Sequence, residues 1–324
     1  MTRGLTRRAA LGAFAAGAWG LRPGALRPAL AAQPRRYDLR PAEVAPGIWM
    51  IEGRREVFSR ENGGDIVNVA LIATEAGAVV IDSGSTAAMG AEIRAFAEQR
   101  LGGVAATVNT HQHPDHWFGN AALADRPLLA LPRTAAACAE FGQDYAETLY
   151  AVLGPWMSGT RPVPPTAPLS GEALDLGGRR LRLLPLSGHT AADLALLDER
   201  TGVLIAGDLV FWDRAPSLPD ADYTAWLAAL DQLAALSPAA VLPGHGPFHA
   251  KGQGLAQTHA YLTATRDRLD RAADLGLSPV EAMAAGPVPE FATLGANPEE
   301  YLRSVARRWT DHETQALPVV GGVL

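Results

Sequence analysis

Three histidines and one aspartate fall within six consecutive positions of this sequence, and side chains of these types bind metal ions. The segment is His111-Gln112-His113-Pro114-Asp115-His116, and it follows a strand-like apolar run at 104–109. In an extended segment, side chains two positions apart point to the same side. His111 and His113 are therefore predicted to share one cation, while Asp115 and His116 reach a second cation beside it. Imidazole and carboxylate are the ligands that zinc takes when thiolates are lacking.

Three further candidate ligands each follow a strand-like run. They are His189 within Ser187-Gly188-His189-Thr190, Asp208 after Ile205-Ala206-Gly207, and His245 within Pro243-Gly244-His245-Gly246-Pro247. Each is weak evidence alone, because a histidine or aspartate beside glycine is more often a turn residue. Together with positions 111–116 they place five of the eight histidines at strand ends. The neighbouring glycines allow tight turns and close backbone approach, so the pattern favours one shared metal site.

These segments together resemble the metallo-β-lactamase superfamily of hydrolases. The resemblance covers about residues 44–247 and includes five motifs in order, the first being Ile81-Asp82-Ser83-Gly84. It implies an α/β (α+β) fold, an αββα sandwich of two mixed β-sheets flanked by helices, with the metal site at the sheet edge. It also implies these ligands: His111, His113 and His189 for one metal, Asp115, His116 and His245 for the other, and Asp208 bridging both. Asp82 is then the acid that orients the histidine segment from outside the ligand set.

The same resemblance implies a reaction. We expect a hydrolase with two zinc ions, or iron or manganese, that uses a metal-bound hydroxide to cleave an ester, thioester, lactone or amide bond. Asp115 and Asp208 are the expected catalytic residues, with Asp115 orienting the nucleophile or moving a proton. Many true β-lactamases of the superfamily carry cysteine or serine at the position of Asp208, which favours thioester, lactone or ester hydrolysis here. A true β-lactamase and a one-iron persulfide dioxygenase are alternatives.

A closer likeness within the superfamily is to exported zinc metallohydrolases associated with quinoprotein alcohol-oxidation systems. The features that carry this likeness are Gly64-Asp65-Ile66-Val67-Asn68, the continuation Phe118-Gly119-Asn120-Ala121, residues 204–211 and a helical C-terminal quarter. A further alternative follows from it, namely a non-catalytic periplasmic accessory protein of a quinoprotein dehydrogenase.

The elements that must position these residues alternate between strand and helix. Strands are predicted at 47–51, 66–73, 78–82, 104–109, 179–185, 193–198, 203–206 and 240–243, and helices at 86–100, 133–153, 222–236 and over most of 254–316. Strands that alternate with helices indicate sheets covered by helices. We therefore expect a hydrolase domain at 37–250 and a helical C-terminal extension at 251–324 packed on the same domain.

The N-terminal residues 1–32 are typical of a targeting segment. Thr6-Arg7-Arg8 precedes an alanine-rich apolar stretch at 9–20, and Ala29-Leu30-Ala31-Ala32 offers a cleavage site. Paired arginines before a modest apolar stretch resemble a twin-arginine signal, which exports folded proteins. The segment predicts export to the periplasm without stable membrane insertion, and a disordered arginine-rich tail is the alternative.

Composition excludes several classes of protein. The single cysteine, Cys138, cannot form an internal disulfide or a thiolate zinc module, and the rest of the chain lacks an apolar run of 18 residues. The net charge is −6, and without the five arginines of residues 1–32 it is −11. Such an acidic body is a poor match to nucleic acid or anionic lipid, so a small molecule is the expected partner. The oligomeric state stays open.

Few residues beyond the ligands are candidates for substrate contact. The aromatic candidates are Trp117, Trp156, Phe211 and Trp212, although each is more readily explained as a core residue. Arg161 and Arg214 are candidates to meet an anionic substrate. The C-terminal helices, with Arg303, Arg307, Arg308 and Trp309, are expected to cover a sheet or form a dimer contact.

Overall fold

Two β-sheets carry the predicted ligand segments at the ends of their strands. The computed structural model describes residues 35–317, so the predicted targeting segment at 1–32 lies outside the described residues. The first sheet contains β1 (Ala42–Ala45), β2 (Ile48–Ile51), β3 (Val69–Thr74), β4 (Gly77–Ile81), β5 (Val104–Val108), β6 (Leu128–Ala130) and β7 (Ala167–Pro168). The second contains β8 (Ala173–Leu176), β9 (Arg179–Leu186), β10 (Asp193–Asp198), β11 (Val203–Phe211), β12 (Ala240–His245) and β13 (His249–Ala250).

Both sheets are mixed. In the first, the strands follow chain order, antiparallel from β1 to β4 and parallel from β4 to β7. In the second, the order is β13-β12-β11-β10-β9-β8, and only β11 and β12 are parallel neighbours. The carboxyl ends of β4 and β5 therefore meet at one edge of the first sheet, as those of β11 and β12 do in the second.

Within residues 35–317, seven α-helices cover the sheets or connect their strands. They are α1 (Ala87–Arg100), α2 (Pro114–Trp117), α3 (Pro132–Leu153), α4 (Tyr223–Ala235), α5 (Gln253–Asp274), α6 (Pro279–Ala284) and α7 (Glu299–Ala316). Short 3₁₀ helices occur at Phe118–Ala122, Gly154–Met157 and Pro289–Phe291. Thr86 and Asp222 cap α1 and α4, each accepting a hydrogen bond from a backbone N–H of the first turn. No helix within residues 35–317 is both long and apolar enough to cross a bilayer.

Alternation along the strands produces three layers of core. Ala70 and Ile72 of β3 face the second sheet and join a cluster with residues such as Leu196 of β10. Leu71, between them, faces the other way and packs in a cluster with Ile93 of α1. The outer face of the second sheet is covered in the same way by α4 and α5. Side chains that alternate across a strand thus build the predicted αββα sandwich, and this fold is confirmed.

The sequence missed several short strands and the full length of β11. The unpredicted strands are β1, β6, β7, β8 and β13, which have two to four residues each. Such short runs give little periodicity to detect. β11 was expected to end at Ala206, but it continues to Phe211 with all nine residues buried. Gly207 and Asp208 interrupt its apolar pattern, yet pairing with β12 carries the strand past them.

The C-terminal helices pack on each other and on the second sheet. Tyr301, Val305 and Trp309 of α7 form a buried cluster with Leu269 of α5 and Ala282 of α6. α5 in turn contributes to the core against β11. Trp309 is therefore part of this helical core.

Candidate metal centre

The loop after β5 brings the first set of nitrogen donors together. His111 lies in this loop, His113 precedes α2, and His189 follows β9 of the other sheet. His113 Nδ1 lies 3.1 Å from His111 Nε2 and 2.8 Å from His189 Nε2. Asp208 Oδ2 lies 3.4 Å from His189 Nε2 and 3.9 Å from His111 Nε2. These four side chains form the first cluster, in which all ligand atoms lie within 4.8 Å of one another.

A second cluster lies beside the first. Asp115 and His116 are in the first turn of α2, and His245 is the last residue of β12. Asp115 Oδ2 lies 3.4 Å from His245 Nε2 and 3.7 Å from His116 Nε2. These three side chains form the second group able to hold a metal ion.

Asp208 faces both clusters. Besides its contacts to the first cluster, its Oδ1 lies 3.2 Å from His116 Nε2 and its Oδ2 lies 3.3 Å from His245 Nε2. Gly244, on the parallel neighbour strand, leaves the space that the carboxylate needs, since a Cβ there would lie 2.0 Å from Asp208 Oδ1. Glycine is therefore needed before His245 for a steric reason, in addition to any role in a turn. The structure brings together all seven residues that the sequence predicted as ligands.

Asp82 supports this arrangement from below the histidine segment. It directly follows β4 and is a non-glycine residue in the left-handed region, with φ of 62°. Its carboxylate accepts hydrogen bonds from Thr110 N at 2.8 Å and Thr110 Oγ1 at 2.9 Å, and lies 2.7 Å from His116 Nδ1. A carboxylate on the outer ring nitrogen turns the inner nitrogen, Nε2, toward the cluster. Asp82 therefore lies where the resemblance placed it.

Other outer contacts were missed by the sequence reasoning. Asp220 Oδ2 lies 2.8 Å from His113 Nε2, and His245 Nδ1 donates to Ile66 O at 2.6 Å. Asn68 Nδ2 donates to Pro243 O at 2.8 Å and to Gly246 O at 2.6 Å, fixing the loop that carries His245. Asp220 has no motif around it that could have signalled this contact. Asn68 is the last residue of the segment Gly64-Asp65-Ile66-Val67-Asn68, but nothing in that segment indicates a contact 175 residues away.

The protonation state of the histidine rings differs between the first cluster and the second. Burial lowers the pKa of His111 and of His189 well below the usual histidine value, so both rings are neutral. Neutral imidazole is the form that ligates metals. Burial also acts to lower the pKa of His116, but the carboxylates of Asp208 and its acidic neighbours outweigh it and raise that pKa well above the usual value.

The carboxylate of Asp208 is kept ionised in this buried place. Burial acts to raise its pKa, but His245 and His116 together lower that pKa well below the usual range. Three carboxylates, those of Asp82, Asp115 and Asp208, thus surround His116, and the metal-free protein balances them with a proton on the ring. A site that attracts a proton to this degree also attracts a metal cation, which displaces the proton on binding.

Unpartnered polar atoms support the same conclusion. His116 Nε2 and Asp208 Oδ1 are buried and lie 3.2 Å apart, but neither has a partner in hydrogen-bond geometry. The converging nitrogens of His111, His113 and His189 can satisfy one another only in part, because each neutral ring nitrogen either donates or accepts. Buried polar atoms without partners are costly unless an ion binds them. The donor set, five imidazoles and two carboxylates, fits zinc and similar divalent cations.

A cavity of about 620 Å³ opens above the ligands. Its floor includes His113, Asp115, Asp208 and His245, and α3 and α7 contribute much of its wall. The four aromatic candidates do not line the cavity: Trp117 and Phe211 are fully buried core residues, as the preferred interpretation expected, and Trp156 and Trp212 are also outside the lining. The aromatic residues that do line it are Phe58, Phe141 and Tyr145. Of the two predicted arginines, Arg214 lines the cavity and Arg161 does not.

A protein-family model with the description "Metallo-beta-lactamase superfamily" matches residues 62–245, which is more than half of the chain. The chain therefore belongs to this superfamily, whose members are mostly hydrolases. The matched range begins before Asp82 and ends at His245, so it includes all the residues of both clusters.

Solved structures share the fold at low sequence identity. A metallo-beta-lactamase from Pontibacter korlensis is 22% identical, with a TM-score of 0.56 over 69% of this chain and 99% of its own. A beta-lactamase domain protein from Burkholderia ambifaria is 22% identical, with a TM-score of 0.59 over 86% of this chain and 91% of its own. A metallo-beta-lactamase from Pseudomonas aeruginosa in its mono-zinc form is 20% identical, with a TM-score of 0.54 over 71% and 97%. No curated protein matches the sequence significantly.

Proposed function

We propose that this chain is a hydrolase that holds two divalent cations, zinc in the first instance, and cleaves an ester, thioester, lactone or amide bond of a small molecule. The observation that carries the proposal is the convergence of seven side chains on two adjacent clusters with Asp208 facing both. A structural role would not require so many buried donors at the base of an open cavity. Iron or manganese could take the same ligands.

The residues have distinct tasks in this proposal. His111, His113 and His189 hold one cation, Asp115, His116 and His245 hold the other, and Asp208 contacts both. When bound, such a pair of cations supplies Lewis acidity and a water-derived nucleophile at neutral pH. Asp115 lies at the cavity floor, where its second carboxylate oxygen can accept a proton or orient a nucleophile. Asp82 and Asp220 fix the rings of His116 and His113 from outside.

The carboxylate at position 208 favours ester, thioester or lactone substrates over β-lactams. The solved structures with the same fold include metallo-beta-lactamases, one of them exposed to ceftazidime. Their identity to this chain is 17–22%, so they carry no substrate over to it. Hydrolysis of a β-lactam is therefore one arm of the test.

The test is an activity panel on the full chain after zinc loading. Thioesters, lactones, aryl esters and the β-lactam nitrocefin are assayed, with Asp208→Ala and His113→Ala as controls and metal content measured for each protein. We expect turnover of at least one ester, thioester or lactone, and a loss of about a hundredfold or more in both variants. Turnover that neither substitution affects would place the chemistry elsewhere.

Other results of the same panel would overturn the proposal in specific ways. Full zinc occupancy with uniform inactivity would support the non-catalytic accessory protein. Activity on nitrocefin alone would indicate a β-lactamase. Oxygen consumption with a persulfide by the iron-loaded protein would indicate the one-iron dioxygenase.

We also propose that the protein is exported in the folded state to the periplasm and acts beside a quinoprotein oxidation system. The paired Arg7 and Arg8, followed by an alanine-rich apolar stretch, support the export route. Cell fractionation tests it: the full chain is expected in the periplasm, and the double variant Arg7→Lys/Arg8→Lys in the cytoplasm. Periplasmic location of both proteins would contradict the twin-arginine route.

A further inference from the structure

Three arginines line the cavity above the metal ligands, and one of them is held in a close, buried ion pair. Its cations are Arg214, Arg303 and Arg307. Arg214 is committed, because its Nη2 lies 3.2 Å from Glu300 Oε1 and both side chains are at most 3% exposed. Arg303 approaches the same, already paired carboxylate only at 3.8 Å, and its side chain is 53% exposed. Arg307 is exposed and forms no ion pair within residues 35–317.

The other acids of the cavity have partners of their own. Asp115 and Asp208 belong to the two ligand clusters. Asp220 Oδ2 lies 2.8 Å from His113 Nε2. Two guanidinium groups, those of Arg303 and Arg307, are thus left to face the cavity without a dedicated counter-ion.

The two arginines are placed to act together. They are four positions apart on α7, so they lie one above the other on the same face of the helix. Arg303 Nη1 donates to Ser217 Oγ at 3.4 Å, and Ser217 lines the cavity three residues before Asp220. Arg303 is therefore next to the segment that also contacts the metal ligand His113. α7 therefore lines the same cavity as the loops that carry the ligands.

We infer that the substrate carries a carboxylate, which Arg303 and Arg307 bind while the scissile bond lies over the metal ligands. This inference rests on the proposed function and names its substrate class. A guanidinium group matches the planar carboxylate with two parallel hydrogen bonds. Glu300 Oε2 lies 3.8 Å from Arg303 Nη1 and weakens the attraction of this guanidinium for a dianion, which favours a carboxylate over a phosphate.

The remaining wall indicates the rest of the substrate. Phe58, Phe141 and Leu149 line the cavity together with Tyr145, and they offer an apolar surface within it. A cavity of about 620 Å³ accommodates a molecule of metabolite size. The substrate class is therefore a small ester, thioester or lactone with an apolar body and a carboxylate at the end remote from the scissile bond.

The kinetic test compares two esters that differ only in this charge. The zinc-loaded full chain is assayed with the mono-4-nitrophenyl ester of glutaric acid and with the neutral 4-nitrophenyl pentanoate. For the glutarate ester we expect KM to rise about tenfold in Arg303→Ala and in Arg307→Ala, with kcat within about twofold, because the arginines bind the ground and transition states alike.

KM for the neutral ester is expected to stay unchanged in both variants, and Arg303→Lys is expected to restore part of the lost affinity for the glutarate ester. The control is Arg266→Ala on α5, whose side chain pairs with Asp267 away from the cavity.

A binding measurement decides the inference independently of turnover. Glutarate and butyrate are titrated into the zinc-loaded protein by calorimetry, since both offer one carboxylate to the metal site and only glutarate offers a second. We expect glutarate to bind about tenfold more tightly than butyrate, and this advantage to vanish in the double variant Arg303→Ala/Arg307→Ala. If the protein hydrolyses no ester, thioester or lactone, the proposed function fails, while the glutarate advantage still supports the anion site.

Three results would overturn the inference. The first is an equal effect of the arginine substitutions on the charged and the neutral ester. The second is an unchanged glutarate advantage in the double variant. The third is a stronger dependence on the arginines for a matched phosphonate, 4-phosphonobutyrate, than for glutarate, which would replace the carboxylate by a phosphate-like dianion.

Discussion

The surroundings of the two ligand clusters differ from the wall of the cavity in burial and in polar contacts. Asp82 represents the first region, and Phe141 represents the second. Asp82 is 2% exposed and makes three polar contacts to the histidine segment. Phe141 is 37% exposed on α3, and its neighbour on the wall, Val152, is exposed to the same extent. Buried contacts from both sheets thus fix the clusters, whereas part of the wall consists of partly exposed side chains on α3.

The difference indicates which property each region controls. Ligands held by buried, hydrogen-bonded neighbours keep the geometry that a metal needs. Residues on exposed surfaces beside such a scaffold can vary without disturbing it, which is how one fold serves many substrates. Changes near the clusters should therefore alter metal binding, and changes on the wall should alter KM alone.

The largest effect is expected for Gly244→Ala, which places a methyl group against the carboxylate of Asp208. The Cβ would lie 2.0 Å from Asp208 Oδ1, so this carboxylate, which faces both clusters, must move. We expect turnover to fall on the order of a hundredfold, with fewer than two zinc ions bound per chain. Metal analysis and kinetics check this. The control Gly252→Ala meets only Leu255 Cδ1 at 3.5 Å and should behave as the parent protein; normal zinc content in Gly244→Ala would contradict the role of Asp208.

A smaller effect is expected when an outer carboxylate is neutralised. Asp82→Asn removes the charge beside His116 Nδ1 and should weaken zinc binding about 10- to 100-fold. Asp220→Asn does the same beside His113, but its side chain is 47% exposed and water can replace it; a loss of about threefold is expected because exposed pairs contribute little. Competition with a chelating dye measures both constants. A larger loss in Asp220→Asn than in Asp82→Asn would contradict the importance of burial.

The pH dependence of zinc affinity tests the charge balance of the second cluster. Neighbouring carboxylates raise the pKa of His116 well above the usual histidine value, so the metal-free protein holds a proton there at neutral pH. A cation must displace this proton, so affinity should rise with pH, by up to about tenfold per unit below that pKa. His111 and His189 are already neutral and add nothing to the slope. Calorimetry in two buffers of different ionisation enthalpy should show proton release at pH 7, and a flat profile between pH 6 and 8 would contradict this balance.

The smallest effect is expected on the wall. Phe141→Ala removes apolar contact area at the cavity while leaving every ligand in place, so KM for an ester with an apolar body should rise only a few-fold, about two- to fivefold. Zinc affinity should not change. Leu302→Ala is the control, since Leu302 is 36% exposed and lies outside the cavity lining. A changed zinc content in Phe141→Ala would remove the distinction between wall and clusters.

Much of the candidate site was predictable because its residues are marked locally. His111, His113, Asp115 and His116 are close in sequence. His189 and His245 lie beside glycines at which an added Cβ would clash with neighbouring atoms. The superfamily and the αββα fold were also predicted and are confirmed. The cavity wall was not predicted, because an aromatic residue near a motif can as well point into the core, as Trp117 does.

Contacts between distant, unmarked residues could not be predicted. Asp220 reaches His113 across 107 positions, and Asn68 reaches Pro243 across 175. Neither has a spacing that signals its partner, since each contact depends on how the loops fold over the sheets. The same holds for Arg303 and Arg307, which were expected only to cover a sheet or meet another subunit.

The sequence alone determined the kind of fold and the donor atoms, because periodic burial and closely spaced imidazoles and carboxylates are local properties of the chain. Tertiary structure alone decided which outer groups orient those donors, and that α7 brings two arginines to the rim of the same cavity. The physical reason is that hydrogen bonds and charges act through space over a few ångströms, whatever the separation along the chain.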